Sequence, residues 1–312
     1  MPWRRWVRRS DSGTRRTSAV AARRERGFAL LVVIWVLALL AVLATGFAAD
    51  TRDEARQARN LLENARAQAM AEAGVALAVT GLLDPNPLTQ WLADGTARDV
   101  PFDGGRLHIT VQDEGGKINL NAAPPELLAG LLAATGIPGE ARNSLLDAIV
   151  ARRRAAGDAT IGMDSNAVLA APESGPAFEA IDEIRALPGV SHATFDAIAP
   201  YITVFSRVSR VNPLTAPRTV LLSLPSVNPQ EVEAVLAARA AIAAGQISVP
   251  IPFLTGTERY TVRTASRATT ITVTATTGTG AVFVRQALLF LTGKPDRPYE
   301  FLDWRQVVAA GS

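Results

Sequence analysis

Residues 23–49 read RRERGFALLVVIWVLALLAVLATGFAA, and the reading of this stretch decides the fold. Residues 28–49 are 22 positions without a charge. As a helix rising 1.5 Å per residue they extend about 30 Å, the thickness of a bilayer's hydrocarbon core. A secretory signal would have a shorter apolar region closed by small residues and a cleavage site. Here the helical pattern continues instead. Residues 50–83 (DTRDEARQARNLLENARAQAMAEAGVALAVTGLL) contain no proline and are rich in Ala, Leu, Glu, Arg and Gln. They place Ala58, Leu61, Leu62, Ala65, Ala69, Ala73 and Leu77 along one face. The expectation is one helix over residues 28–83, apolar in its first half and amphipathic in its second, with Pro85 and Pro87 ending it.

The charge sits mostly ahead of this helix. The 312 residues carry a net +3, yet residues 1–26 hold nine arginines against Asp11 and Glu25, a net +7. Everything from Gly27 onward therefore totals −4. An arginine-rich leader before an apolar span keeps the N-terminus cytoplasmic and exports the body in a single pass. There is no cysteine, and His108 and His192 are the only histidines. Thiol nucleophiles, disulfide scaffolds and multi-histidine metal centres are thereby excluded.

A basic leader ending in Gly27, then Phe28, then about 20 apolar residues, resembles the class III signal of type IV pilins and type II secretion pseudopilins. The resemblance implies that a prepilin peptidase cuts after Gly27 and methylates the new N-terminal Phe28, leaving the anchor in the cell inner membrane and the body in the periplasm. In that family the fifth mature residue is a glutamate that neutralises the N-terminus of a neighbouring subunit. Here it is Val32, and a subunit without that carboxylate fits a fibre tip, since a buried, unpartnered glutamate is costly. The same absence marks the K-type minor pseudopilin, whose pilin fold is interrupted by a large α-domain.

The rest of the chain fits that outline, an α+β class with an antiparallel sheet interrupted by an inserted helical domain. Residues 106–112 (RLHITVQ) alternate as a half-buried strand, which makes His108 a surface strand residue. DEGGKINLN (residues 113–121) follows. A segment 93 positions later repeats its continuation: Asn119, Ala123, Pro124, Leu128 and Leu131 correspond to Asn212, Ala216, Pro217, Leu221 and Leu224. Each copy reads as an asparagine turn, then a helix opened by proline with inward leucines. Apolar-Pro-Gly turns at Pro138 and Gly139 and at Pro188 and Gly189, with a degenerate copy at residues 224–227, resemble helix-hairpin-helix units. The alternative reading is thus a membrane-anchored DNA receptor of the competence type. Against it, residues 178–206 hold Glu179, Asp182, Glu183 and Asp196 against Arg185, where phosphate requires cations. The hairpins are read as structural, nucleic acid is not an expected partner, and Arg152, Arg153 and Arg154 are read as a solvated helix end. Residues 259–266, 270–276 and 282–292 read as an antiparallel meander with a turn at Gly278 and Gly280, and the aromatic tail as folding back on the sheet.

The expected organisation is a leader (1–27), a transmembrane helix (28–49), its periplasmic continuation (50–83), the first part of the sheet (84–112), the inserted α-domain (113–252) and the rest of the sheet with the tail (253–312). No motif for catalysis is present; Asp113 with Glu114 and Asp182 with Glu183 are neighbours whose side chains point apart. Enzymatic function is not expected. The resemblance implies I- and J-type minor pseudopilins, the pseudopilus, the inner-membrane secretion platform and the prepilin peptidase as partners. It also raises calcium, for which no stretch offers a ligand pattern. Ala38, Ala41, Ala44 and Gly46 in the span, with Leu61, Ala65 and Ala69 beyond it, are the expected helix-packing positions.

Overall fold

The computed structural model describes residues 18–86, 88–161, 176–246 and 249–307. The leader arginines up to Arg16, and Pro87, lie outside the described residues. The chain divides between Leu62 and Glu63 into two compact units. Helix α1 (Ser18–Leu82) is one unbroken element of 65 residues. It opens ten residues ahead of the expected start, because Ala19, Ala21, Ala22 and the arginines after them are strong helix formers.

From Glu63 onward the core is a sheet covered by α1. Strands β1 (Arg98–Phe102) and β2 (Gly105–Asp113) form a hairpin. After β2 the chain leaves the sheet through β3 (Ile118–Asn119), α2 (Pro125–Ala134), α3 (Gly139–Ile161), α4 (His192–Ile198), β4 (Ile202–Thr203), α5 (Arg218–Leu222) and α6 (Pro229–Ala243). It returns as β5 (Ala268–Thr276), β6 (Val282–Leu291) and β7 (Tyr299–Val307). The five long strands are antiparallel in the order β1-β2-β5-β6-β7, so β2 and β5 are neighbours across the whole insertion. Alternation explains the faces: Leu107, Ile109 and Val111 of β2 meet Ile271, Val273 and Ala275 of β5 beneath Met70, Ala71, Val75 and Ala78 of α1. Close approach is enforced by glycine. A Cβ on Gly74 would lie 2.6 Å from Val273 Cγ1, and one on Gly81 would lie 2.5 Å from the Trp91 ring.

The insertion has its own core, built on Leu127, Leu128, Leu131, Phe178, Ile184, Val220, Leu221, Val232 and Val235. Its two repeats match in hydrogen bonding. Asn119 Oδ1 accepts the amides of Asn121 and Ala122, and Asn212 Oδ1 accepts that of Leu214. The amides of Ala123 and Ala216 donate to the carbonyls of Asn119 and Asn212, both at 2.9 Å. Pro124 and Pro217 cap α2 and α5. One arginine closes each unit from the following helix: Arg153 Nη1 donates to the Ala123 carbonyl at 2.7 Å and Arg239 Nη1 to the Ala216 carbonyl at 2.6 Å. Each unit also forms a short parallel pairing, Ile118 with Ile202 and Val211 with Thr261.

Several expectations are corrected. Residues 259–266 are not a strand; only Thr261 pairs, and Arg263 turns to the Phe253 ring, 3.9 Å away. The aromatic tail does fold back on the sheet, and it does so as the edge strand β7, paired along β6. β1 went unread because Pro101 breaks its pattern, which an edge strand tolerates. Arg152 and Arg153 are no solvated helix end: α3 runs on to Ile161, and both side chains are half-buried. Arg152 Nε donates to the Ala177 carbonyl at 2.8 Å with its guanidinium over the Phe178 ring, and Arg153 reaches the carbonyls of Asn119, Leu120 and Ala123.

Candidate functional site

The span starts from composition. Phe28–Thr45 is a helical window long and apolar enough to cross a membrane, with none of it buried within the chain. Val32 is among its exposed side chains, as are Ala38, Ala41 and Ala44. Gly27 and Gly46 lie within α1. A helix whose whole circumference is apolar and unburied needs lipid or other helices around it.

Lower down, α1 has two apolar faces. Ala67, Met70, Ala71, Gly74, Val75, Ala78 and Val79 are buried on the sheet. The face carrying Leu61, Ala65 and Ala69 is exposed, Leu61 to 71%. Three polar clamps fix the sheet-facing side from Glu63 onward: Glu63 accepts from Thr279 Oγ1, Arg66 Nε donates to Asp103 at 2.9 Å, and Arg285 Nη2 donates to Glu72 at 2.9 Å. Hydrogen bonding to Thr279 lowers the Glu63 pKa, and hydrogen bonding to Asp103 raises that of Arg66. The orientation of α1 from Glu63 onward on the sheet is therefore specified, and so is the face left over there.

DEGGKINLN builds the joint between sheet and insertion. Glu114–Gly116 is a buried 3-10 turn capped by Asp113, whose carboxylate accepts from the amides of Gly115 (2.8 Å) and Ser266 (3.1 Å) and from Thr215 Oγ1 (3.1 Å). Burial pushes the Asp113 carboxyl up, and these bonds oppose it. Glu114 pairs with Lys117 at 2.7 Å and accepts from Thr270 Oγ1 at 2.6 Å. A Cβ on Gly116 would lie 2.6 Å from the Thr215 carbonyl oxygen, so only glycine lets the second repeat close on the turn. Arg239 adds a further tie, from Nη2 to the Asp94 carbonyl at 2.8 Å. These acids hold the strand before the insertion, the second repeat and the strand after it at one point.

At the hairpins, Gly189 takes φ +81° and Ser226 takes φ +62°, each three residues ahead of a helix start. In the first copy that position is Gly136, φ +77°, and not Gly139; Pro138 and Gly139 instead open α3. Two cations near these turns, Arg185 and Arg218, are engaged within the chain. Arg185 lies 3.5 Å from Asp182 and 3.8 Å from Asp196 and over the Phe195 ring, while Arg218 pairs with Glu233 at 2.6 Å. Phosphate binding would have to break these pairs.

His108 sits on the surface of β2, its Nδ1 3.0 Å from Asp99 Oδ1. Among the described residues no three His, Asp or Glu side chains converge to hold a metal. Sequence reasoning missed the role of Arg239 at the joint and the strand character of the aromatic tail. An arginine amid alanines in α6 is the only sequence signal for the first.

No protein-family model matches this chain, and no curated protein does. Among solved structures it is similar to a chain of "The Crystal Structure of the GspK-GspI-GspJ complex from enterotoxigenic Escherichia coli Type 2 Secretion System". The identity is 16%, the TM-score 0.46, and the match covers 83% of this chain and 99% of that one.

Proposed function

We propose that this chain is a K-type minor pseudopilin of a type II secretion system, cleaved after Gly27, methylated at Phe28, and placed at the tip of a short periplasmic fibre. The observation that carries the reading is the two-faced α1. An uncharged, exposed span continues into a helix that rests on the sheet by one face and leaves Leu61, Ala65 and Ala69 bare on another. Such a helix is built to be packed by other helices both inside the membrane and outside it. Val32 supplies the tip assignment, because it offers no carboxylate to a subunit above. I- and J-type minor pseudopilins are the partners along the helix, the inner-membrane platform the assembly base, and the prepilin peptidase the processing enzyme. The insertion, with Arg185 and Arg218 beside its turns already paired, is a structural cap and not a DNA binder.

Loss of the chain from its cell is expected to stop export of periplasmic cargo across the outer membrane and to leave DNA uptake unchanged. Restoration needs the whole chain; a body lacking residues 28–49 is not expected to rescue. Export that continues without the chain, or DNA uptake that fails in its place, refutes the proposal.

A further inference from the structure

The aromatic side of β7 and the adjoining flank of α1 form the two walls of one groove. Leu291, Leu289 and Ala287 of β6 face Tyr299, Phe301 and Trp304 of β7, and Leu289 and Ala287 belong to the core under α1. The three aromatics therefore share the α1 side of the sheet. The irregularity at Leu288 and Leu289 allows this, since it brings Trp304, three residues after Phe301, back to the same face. Their rings meet edge to face at 5.4 Å and 4.8 Å. Tyr299 packs on the core, whereas Phe301 is 45% exposed and Trp304 41%.

The second wall is α1. Ala76, Val79, Thr80, Leu83 and Asp84 line a cavity together with Tyr299, and the Asp84 carboxylate accepts from the Asn86 amide and Thr89 Oγ1. At the far end, Arg285 lies 5.2 Å from the Trp304 ring and bonds Glu72. The eleven steps of helix from Glu72 to Leu83 and the five of strand from Tyr299 to Trp304 each span about 16 Å, so the walls match in length over roughly three helical turns. At 100° per residue, Ala65, Ala69, Glu72, Ala76 and Leu83 fall within an arc of about 60°. The only charge on that arc is Glu72, already neutralised by Arg285.

We propose that this groove seats an α-helix of another pilin-like subunit, which lays an apolar stripe between Ala76, Val79 and Leu83 of α1 and the Phe301 and Trp304 rings. This rests on the assembly reading above and extends it to a strand that no helix-packing argument had included. A helix is the occupant that fits for three reasons. Small side chains at Ala76 and Thr80 admit a helix at close range, a three-turn trough suits a helical ridge, and the same arc of α1 continues into the exposed Ala65 and Ala69 that the assembly reading gives to helix packing.

The chain has no cysteine, so single cysteines report position cleanly. Phe301→Cys, Trp304→Cys and Ala65→Cys, with Phe102→Cys on the opposite edge strand as control, would each carry a benzophenone maleimide. They would be tested in the full-length protein in membranes of cells that make the whole assembly. Linked peptides would be identified by mass spectrometry. The expected result is links from positions 301 and 304 to a helix just beyond the apolar span of another subunit bearing a prepilin-type junction, with none from position 102. Links to an extended segment added along β7, or to an exported protein, overturn the proposal. Links from position 65 with none from 301 and 304 overturn the groove and leave the assembly reading standing. No link from 65, 301 or 304 overturns both.

Discussion

Removing the Asp113 carboxylate is expected to uncouple the inserted domain from the sheet. Asp113 is 2% exposed and accepts from the Gly115 and Ser266 amides and Thr215 Oγ1, with Asn212 Nδ2 at the 3.5 Å limit. Asp113→Ala strands these donors in a buried site. At about 1 kcal/mol per lost bond, and with relief of the burial cost as an offset, the loss comes to about 3 kcal/mol, or roughly 150-fold in local opening. The reporter is the Asn212 backbone amide, which bonds the Gly115 carbonyl at 2.8 Å and not Asp113 itself. Hydrogen exchange at that amide should accelerate in Asp113→Ala. Asp113→Asn keeps one acceptor oxygen for Gly115 and Ser266 and can donate to Thr215, so it should cost only about 1 kcal/mol. The pH dependence follows from the sign of the shift. Because burial raises the carboxyl above its ordinary value, the folded chain holds more protons there than the unfolded one, and stability falls as pH rises through the raised value. Asparagine has no such fall, so the gap between wild type and Asp113→Asn should narrow with rising pH. Unchanged exchange at Asn212 in the alanine variant, or a gap that widens with pH, would refute the reasoning.

Other substitutions probe the remaining contacts. Arg239→Ala leaves the Ala216 and Asp94 carbonyls without their donor and should cost about 3 kcal/mol in urea unfolding. Arg239→Lys should recover less than half of this, since one ammonium does not reproduce the guanidinium fork. Gly74→Leu drives a Cβ to 2.6 Å from Val273 and should lower stability by about 1–3 kcal/mol in thermal unfolding; no change in melting temperature would contradict the close packing of α1. Ser226→Gly relieves a left-handed residue at φ +62° and should raise stability by about 0.5–1 kcal/mol, measured by the same melt. Val32→Glu places a carboxylate in the span and should leave cleavage after Gly27 intact while reducing incorporation at the fibre tip, read by the yield of cross-links to partner subunits.

The elements that sequence revealed are those whose own pattern suffices to specify them. The long helix follows from composition and the absence of proline, β2 from strict alternation, and the repeat from asparagine, proline and leucine at fixed spacing. Elements specified by distant partners were hidden. β7 alternates poorly because an irregularity at Leu288 and Leu289 shifts its register, and residues 259–266 alternate well yet find a strand pairing only at Val211. Arg152 and Arg153 read as solvated charges because nothing local announces the carbonyls of Asn119, Leu120, Ala123 and Ala177 that receive them. The sheet-facing side of α1 was equally obscure. Alanine populates both faces, and only Gly74 and Gly81, pressed against Val273 and Trp91, distinguish the buried one. The acids of DEGGKINLN lacked a catalytic motif in sequence, but their role as a joint needed Thr215, Ser266 and Thr270 from far along the chain.

Residues 1–27 carry +7 and the remainder −4, which together make the formal +3. The address, the topology and the assembly reading all depend on the one bond that joins them. The most direct measurement is the N-terminal residue and intact mass of the protein recovered from membranes of cells with and without a prepilin peptidase. The expected result is N-methylated Phe28 when the peptidase is present and an uncut Met1 chain when it is absent. A chain that begins at Met1 in both cells, or at any residue other than Phe28 in the first, would contradict the account.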